Sequence, residues 1–249
     1  MRILSKYFLL VGCFAFILSC SKDEEEEEPK KTTSPDCFEV GTYTDQLPNM
    51  NFETWGYPDS SGNKYQEPCG GVWSSSNGVS AQVDVITSTK TTDAQDGNFA
   101  VKIKSEGLFG GFVLAPGILF AGKFLSYNLD LNELLSNAEF GVPFTNKPLN
   151  FNGYYKYISV NGDSAYVAVM LSKYNFQTKS KDTVGFGDFT VYNSISNYAE
   201  FNIGIDYNYT AGSEVPDSVT VIFTPSKGIE SLVGEIGSTL FVDNCRFNY

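Results

Sequence analysis

The sequence predicts an all-β protein, a two-sheet antiparallel β-sandwich, and three observations carry that expectation. Twenty Phe, 15 Tyr and 23 Gly accompany many short runs of Val, Ile, Thr and Tyr, the residues that fit a pleated, half-buried surface. Those runs are separated by Asp96-Gly97-Asn98, Asn161-Gly162-Asp163 and Pro216-Asp217-Ser218, segments that favour tight turns. Helical periodicity is nearly absent, and only 128–137, with Leu129, Leu131, Leu134 and Leu135, reads as a short helix.

The elements follow in chain order. The first strand is expected to begin at Asn51-Phe52-Glu53-Thr54-Trp55, which offers a ring to bury and a carboxylate beside it. Further strands are expected at 81–87, 99–105, 111–114, 151–160, 165–172, 199–207, 218–224 and 239–247. Alternation within 151–160 places Tyr155, Tyr157 and Ser159 on one face and Tyr154, Lys156, Ile158 and Val160 on the other. The last strand carries Asp243. Terminal strands of a sandwich commonly lie close together, so Glu53 and Asp243 are expected to converge.

Ahead of this domain lies a different kind of sequence. Arg2 and Lys6 precede an apolar run over 7–18, shorter than the roughly 20 residues of a membrane-spanning helix and suited to a secretory h-region. Ile17-Leu18-Ser19-Cys20 resembles the lipobox of bacterial lipoproteins. That implies removal of residues 1–19 and lipidation of Cys20. Ser21-Lys22-Asp23 and Glu24 to Glu28 follow, a block of like charge that repels itself into a solvated tether. Its place resembles the export signal of Bacteroidota surface lipoproteins, which implies an outer-membrane protein anchored by lipid and facing the exterior. The expected organisation is a signal peptide over 1–19, a tether over 20–36 and one β-sandwich domain over 37–249, with the membrane met through the anchor only.

Charge and composition exclude several functions. The net charge is −12, and loss of Arg2 and Lys6 takes 17 basic residues to 15 against 29 acidic ones, a net of −14. A nucleic-acid partner, which needs a basic footprint, is not expected. There is no histidine, which removes Ser-His-Asp and Cys-His catalysis and the commonest transition-metal ligand. Cys37, Cys69 and Cys245 show no C-x-x-C spacing. Three separate buried thiols are the first expectation and a Cys37–Cys245 pair the second. No organic cofactor is expected.

Oxygen ligands remain, and they suit calcium. Glu53, the turn at Asp96 and Gly97, and Asp243 stand where extracellular sugar-binding jelly rolls hold a structural calcium, so this cation is expected to tie the first strand to the last. Sugar recognition wants rings against the apolar faces of pyranoses and polar groups for the hydroxyls. Trp55, Tyr57, Tyr65, Trp73 and Asn77 in a Gly- and Ser-rich stretch, which also holds Gln66 and Glu67, are the expected contacts, with Tyr155 and Lys156 added from the later strand.

Taken as a series, 51–55, 73–77, 96–102, 141–144, 153–157, 216–218 and 237–244 resemble the putative carbohydrate metabolism domain family of Bacteroidota surface and secreted proteins, over nearly all of the chain after Cys37. The resemblance implies that the two-sheet antiparallel β-sandwich is a jelly roll, galactose-binding-like and shaped like carbohydrate-binding modules. The expected function is a surface lipoprotein that binds a poly- or oligosaccharide in glycan capture or utilisation, beside neighbouring glycan-uptake proteins. Two alternatives stand beside it: a glycoside hydrolase using two carboxylates about 5 to 9.5 Å apart, and a fimbria-like surface subunit joined by strand addition. Binding is expected rather than catalysis.

Overall fold

A computed structural model describes residues 37, 41–58, 61–125, 135–228, 231 and 233–249. The leader, Cys20, the acidic tether and most of the expected helix over 128–137 lie outside the described residues. None of the described helices is long and apolar enough to cross a membrane.

The strands are β1 (Trp55–Gly56), β2 (Glu67–Pro68), β3 (Trp73–Ser75), β4 (Ser88–Thr91), β5 (Ala100–Lys104), β6 (Glu106–Leu108), β7 (Val113–Ala115), β8 (Leu119–Phe124), β9 (Ala138–Phe140), β10 (Val142–Pro143), β11 (Asn150–Ile158), β12 (Ala165–Asn175), β13 (Ser180–Val191), β14 (Ile195–Gly204), β15 (Ser218–Thr224) and β16 (Thr239–Asn248), with a single helical turn α1 (Asn77–Ser80) after β3. One sheet runs β13-β12-β15-β8-β3, with β10 on β15 and β9 on β8; the other runs β14-β11-β16-β5-β4. All of these pairs are antiparallel. The all-β sandwich expected from composition is the observed architecture.

Alternation explains how the two sheets meet. Val167, Val169 and Leu171 of β12 and Val219, Val221 and Phe223 of β15 are buried on one side, and Val101, Ile103, Leu240, Val242, Tyr155 and Tyr157 on the other. Between them lies an aromatic cluster. Phe151 sits 5.6 Å from Phe201, 6.2 Å from Phe223 and 5.1 Å from Phe247, within the range where ring pairs add to plain burial. A second, smaller cluster of Val79, Ile118, Phe120 and Phe124 packs with Phe140 and Ile222.

Several expected elements differ. The segment from Asn51 to Trp55 is a turn followed by a two-residue strand, because the Asn49 side chain bonds both the N–H and the carbonyl of Thr54 and Phe52 takes φ +52°. Glu53 is therefore not on a first strand, and β1 pairs β2 rather than the last strand. The expected strand over 81–87 is instead a 3-10 turn over Ala81–Val83 that follows directly on α1, and then an irregular segment up to β4. Buried Asn77 ties that segment back on itself, accepting N–H bonds from Thr87 and Ser88 and donating to the Ser88 carbonyl. β13 was not legible, since its charges and Gly185 and Gly187 hide it. A Cβ on Gly187 would lie 2.5 Å from the Gly204 carbonyl oxygen, so the close strand crossing demands those glycines. The expected Asn161-Gly162 turn is present, with φ of +48° and +82° and Asp163 N–H bonded to the Val160 carbonyl, the geometry that favours this pair.

The cysteine expectations are corrected. Cys37 is bonded to Cys69, and Cys245 is a buried free thiol. Gly70 N–H donates to the Cys37 carbonyl and brings those two segments together. Cys245 faces Gly153 inside the core, where a Cβ on residue 153 would lie 2.7 Å from its sulfur.

Candidate carbohydrate site

The β4–β5 connection folds over the outer face of the five-stranded sheet, and four side chains hold it there. Glu53 Oε1 accepts N–H bonds from Asn98 and Phe99, each at 2.9 Å. Asp243 Oδ2 accepts from Gln95 at 2.7 Å and Asp96 at 3.1 Å. Lys156 pairs with Asp93, and Tyr198 donates to the Asp93 carbonyl at 2.6 Å. Gly97 at the crest has φ +69°, and a Cβ there would lie 2.3 Å from Glu53 Oε1, so the carboxylate can approach only because residue 97 is glycine.

Glu53 and Asp243 thus meet across one turn, to which Asp96 contributes its backbone N–H. Their titrations move in opposite directions. The Phe99 N–H bond, aided by those from Asn98, holds the Glu53 carboxyl below its ordinary range. Burial pushes Asp243 up despite its amide donors, and the nearby charge of Glu53 adds to the rise. Spare acceptor capacity survives on both: Asp243 Oδ1 takes one N–H from Asn244, and Glu53 Oε2 takes one amide donor from Asn98 at 3.3 Å. An all-oxygen set with a buried, destabilised carboxylate fits a hard cation. Among the described residues no three His, Cys, Asp or Glu side chains gather as metal ligands, so carbonyl, amide or water oxygens would have to complete such a shell.

The contacts expected to touch sugar divide sharply. Trp73 is 4 % exposed, packs 5.4 Å from Phe52 and 6.2 Å from Phe223, and donates its ring N–H to the Pro48 carbonyl. It is a core residue. Asn77 is buried and spent on the backbone of 87–88. Tyr155 is buried against Phe189 and Phe201, with its hydroxyl pKa raised by that burial. Trp55 is half-buried, and its ring N–H donates to the Phe52 carbonyl at 2.6 Å. Lys156 has 12 % of its side chain exposed, faces Asp93, and lies 4.8 Å and 4.9 Å from the rings of Tyr198 and Phe241. Its charge is committed to holding the loop.

What remains is built around Tyr57. This ring, 38 % exposed, borders an open pocket of about 330 Å³ together with Lys64, Tyr65, Gln66, Thr89 and Lys90. Tyr65 is mostly buried and forms part of the wall. Lys64 reaches Asp84 at 2.9 Å and the Ala81 carbonyl, and Lys90 lies 4.6 Å from the Phe99 ring. One exposed ring flanked by an amide, a hydroxyl and two ammonium groups is chemistry that fits a sugar, whose apolar face stacks while its hydroxyls bond. Thr89 and Lys90 were not anticipated. Their signal is weak: Ser88-Thr89-Lys90-Thr91 is a short β-branched run.

Next to Gln66 in the chain is Glu67, 4 % exposed. Its Oε1 accepts the Ser75 N–H at 3.2 Å and the Ser75 hydroxyl at 2.6 Å, whereas Oε2 has no partner among the described residues. Burial pushes its pKa up to about 8, the Ser75 bonds offsetting only part of the cost.

No curated protein matches the chain. Among solved structures, a putative glycoside hydrolase from Bacteroides thetaiotaomicron is similar with a TM-score of 0.67 at 20% identity, covering 84% of this chain and 72% of that one. A putative glycoside hydrolase from Bacteroides vulgatus gives 0.65 at 19% identity, covering 84% and 99%. At such identity the likeness is one of fold. Residues 49–170 match the family model described as a putative carbohydrate metabolism domain.

Proposed function

We propose that the protein is a lipid-anchored lipoprotein on the outer face of the outer membrane that binds a poly- or oligosaccharide for glycan capture or utilisation. The observation that carries the binding reading is the pocket at Tyr57, a single exposed ring set among hydroxyl, amide and ammonium groups. The family description supports carbohydrate as the ligand class. The lipobox-like segment ending at Cys20 and the acidic run after it support the location. Binding is favoured over hydrolysis because no carboxylate lines this pocket among the described residues, and hydrolysis needs a pair of them.

A calcium held by Glu53 and Asp243 would offset their mutual repulsion and fix the 95–99 turn, which borders the same sheet face. Its role there is structural.

A glycan array with the full-length protein in detergent tests the binding reading. Wild type is expected to mark several glycans, and Tyr57→Ser to lose the signal of at least one that wild type marks; an array without signal, or one that Tyr57→Ser leaves unchanged, refutes the reading. For the anchor, Cys20→Ala is expected to shift the protein out of the processed membrane fraction, and unchanged membrane retention of a processed form contradicts it.

A further inference from the structure

The β12–β13 hairpin and the 210–214 turn enclose an open cavity of about 480 Å³, well apart in the fold from the residues discussed above. Phe176 stands at its rim with 85 % of its surface exposed. Its ring leaves an apolar face open to water, and covering that face would be favourable. The ring is nevertheless held in place, edge-on to Tyr174 at 5.0 Å and 82°. The turn beneath is tightly built: Asn175 Oδ1 accepts the N–H groups of Gln177 and Thr178, its amide donates to Asp182 at 2.7 Å, and Lys179 N–H donates to the Asn175 carbonyl with Lys179 at φ +55°. Across the cavity Lys173 reaches the Val215 carbonyl at 3.2 Å and Glu214 at 3.7 Å.

We propose that this cavity is a second saccharide site, specific for neutral pyranose-rich glycans. Phe176 supplies the flat apolar face on which a sugar ring stacks, and Asp182 and Glu214 accept hydroxyl bonds while Gln177 donates. The charge balance selects the class. Two carboxylates face one ammonium, and that ammonium is already engaged by Glu214 and a carbonyl, so a uronate carboxylate would meet repulsion. A protein-docking patch would place its charges at the rim and deplete them at the centre; here Asp182, Glu214 and Lys173 line the cavity with the rings.

The site is independent of the one at Tyr57. β13 is an edge of the seven-stranded sheet and lies against β14, whereas β4 is the opposite edge of the five-stranded sheet. Two sites at opposite edges make one molecule bivalent, and bivalent capture of a polymer gains avidity with no new contact.

Affinity electrophoresis of the full-length protein in detergent tests this, with gels containing galactomannan, xyloglucan or laminarin as neutral probes and polygalacturonate as the acidic one. In a Tyr57→Ser background, where only the second site reads, migration is expected to stay retarded in at least one neutral gel. Adding Phe176→Ser, a change at an exposed position that should leave the melting temperature unaltered, is expected to raise the dissociation constant at least tenfold, as is adding Asp182→Asn with Glu214→Gln. Retardation that vanishes with Tyr57→Ser alone, or that survives Phe176→Ser, overturns the second site and leaves the first intact. Retardation through Phe176 by polygalacturonate alone overturns the neutral class. A wild type retarded in none of the neutral gels overturns the proposal, and so does a Phe176→Ser variant that changes only the oligomeric state on size exclusion.

Discussion

Replacing Glu67 by Gln should invert an ordinary expectation about removing a buried charged group. In the wild type the side chain is 4 % exposed with Oε2 unpartnered among the described residues, and its pKa stands at about 8 against 4.5. The sign follows from proton counting. Between those two values the unfolded chain has released the proton and the folded chain still holds it, so the folded state binds more protons and stability falls as pH rises. The contribution is fully present below about pH 4.5 and is lost by about pH 8. At about 1.4 kcal/mol for each unit, the ceiling is on the order of 5 kcal/mol, and water entry or local relaxation brings the expected loss nearer about 2 kcal/mol. Gln keeps the size and can still accept from Ser75, but it does not titrate. Thermal melts monitored by near-UV circular dichroism from pH 4.5 to 8.5 should show wild type falling relative to the variant, by about 4–8 °C for a domain of this size. Parallel curves for the two proteins would refute both the burial and the unpartnered oxygen as the cause.

Four further outcomes follow from the structure. Trp73→Ala should cost about 3–5 kcal/mol in a denaturant titration, as for an aromatic ring cut from a packed core, and a variant that loses glycan binding at full stability would return Trp73 to the binding surface. A chelator should lower the melting temperature of wild type and leave Glu53→Gln unmoved; equal shifts in both would remove the carboxylate pair as the cation's holder. Reducing the Cys37–Cys69 bond, which closes a separation of 32 residues, should cost about 3–4 kcal/mol on the loop-entropy account. Cys245, buried and with its thiol pKa raised well above the ordinary range by desolvation, should resist thiol reagents until the protein unfolds.

How much was legible depends on how local the cause is. Val219-Thr220-Val221-Ile222-Phe223 and the alternating tyrosines of 151–160 carry their burial pattern in their own sequence, so β15 and β11 could be read directly. The meeting of Glu53 with Asp243 was readable in outcome but not in route, because Glu53 sits in a turn made by Asn49 rather than on a strand. Trp73, Asn77 and Tyr155 look like ligand contacts in sequence because rings and amides serve cores as well as sugars. Which role each takes is set by Phe52, Phe189 and the 87–88 backbone, all remote or on other elements. Glu67 and Phe176 are the reverse case: a carboxylate that turns inward and a phenyl ring that turns outward leave no trace in local pattern.

The most direct measurement of the central claim is a calorimetric titration of the full-length protein in detergent with the oligosaccharide that an array selects, run beside Tyr57→Ser. The account predicts saturable binding by wild type and at least a tenfold weaker constant in the variant, about 1.4 kcal/mol for the lost stacking face, with the melting temperature unchanged. Equal affinity in the two proteins would show that the sugar is held elsewhere and would contradict the assignment of the pocket at Tyr57.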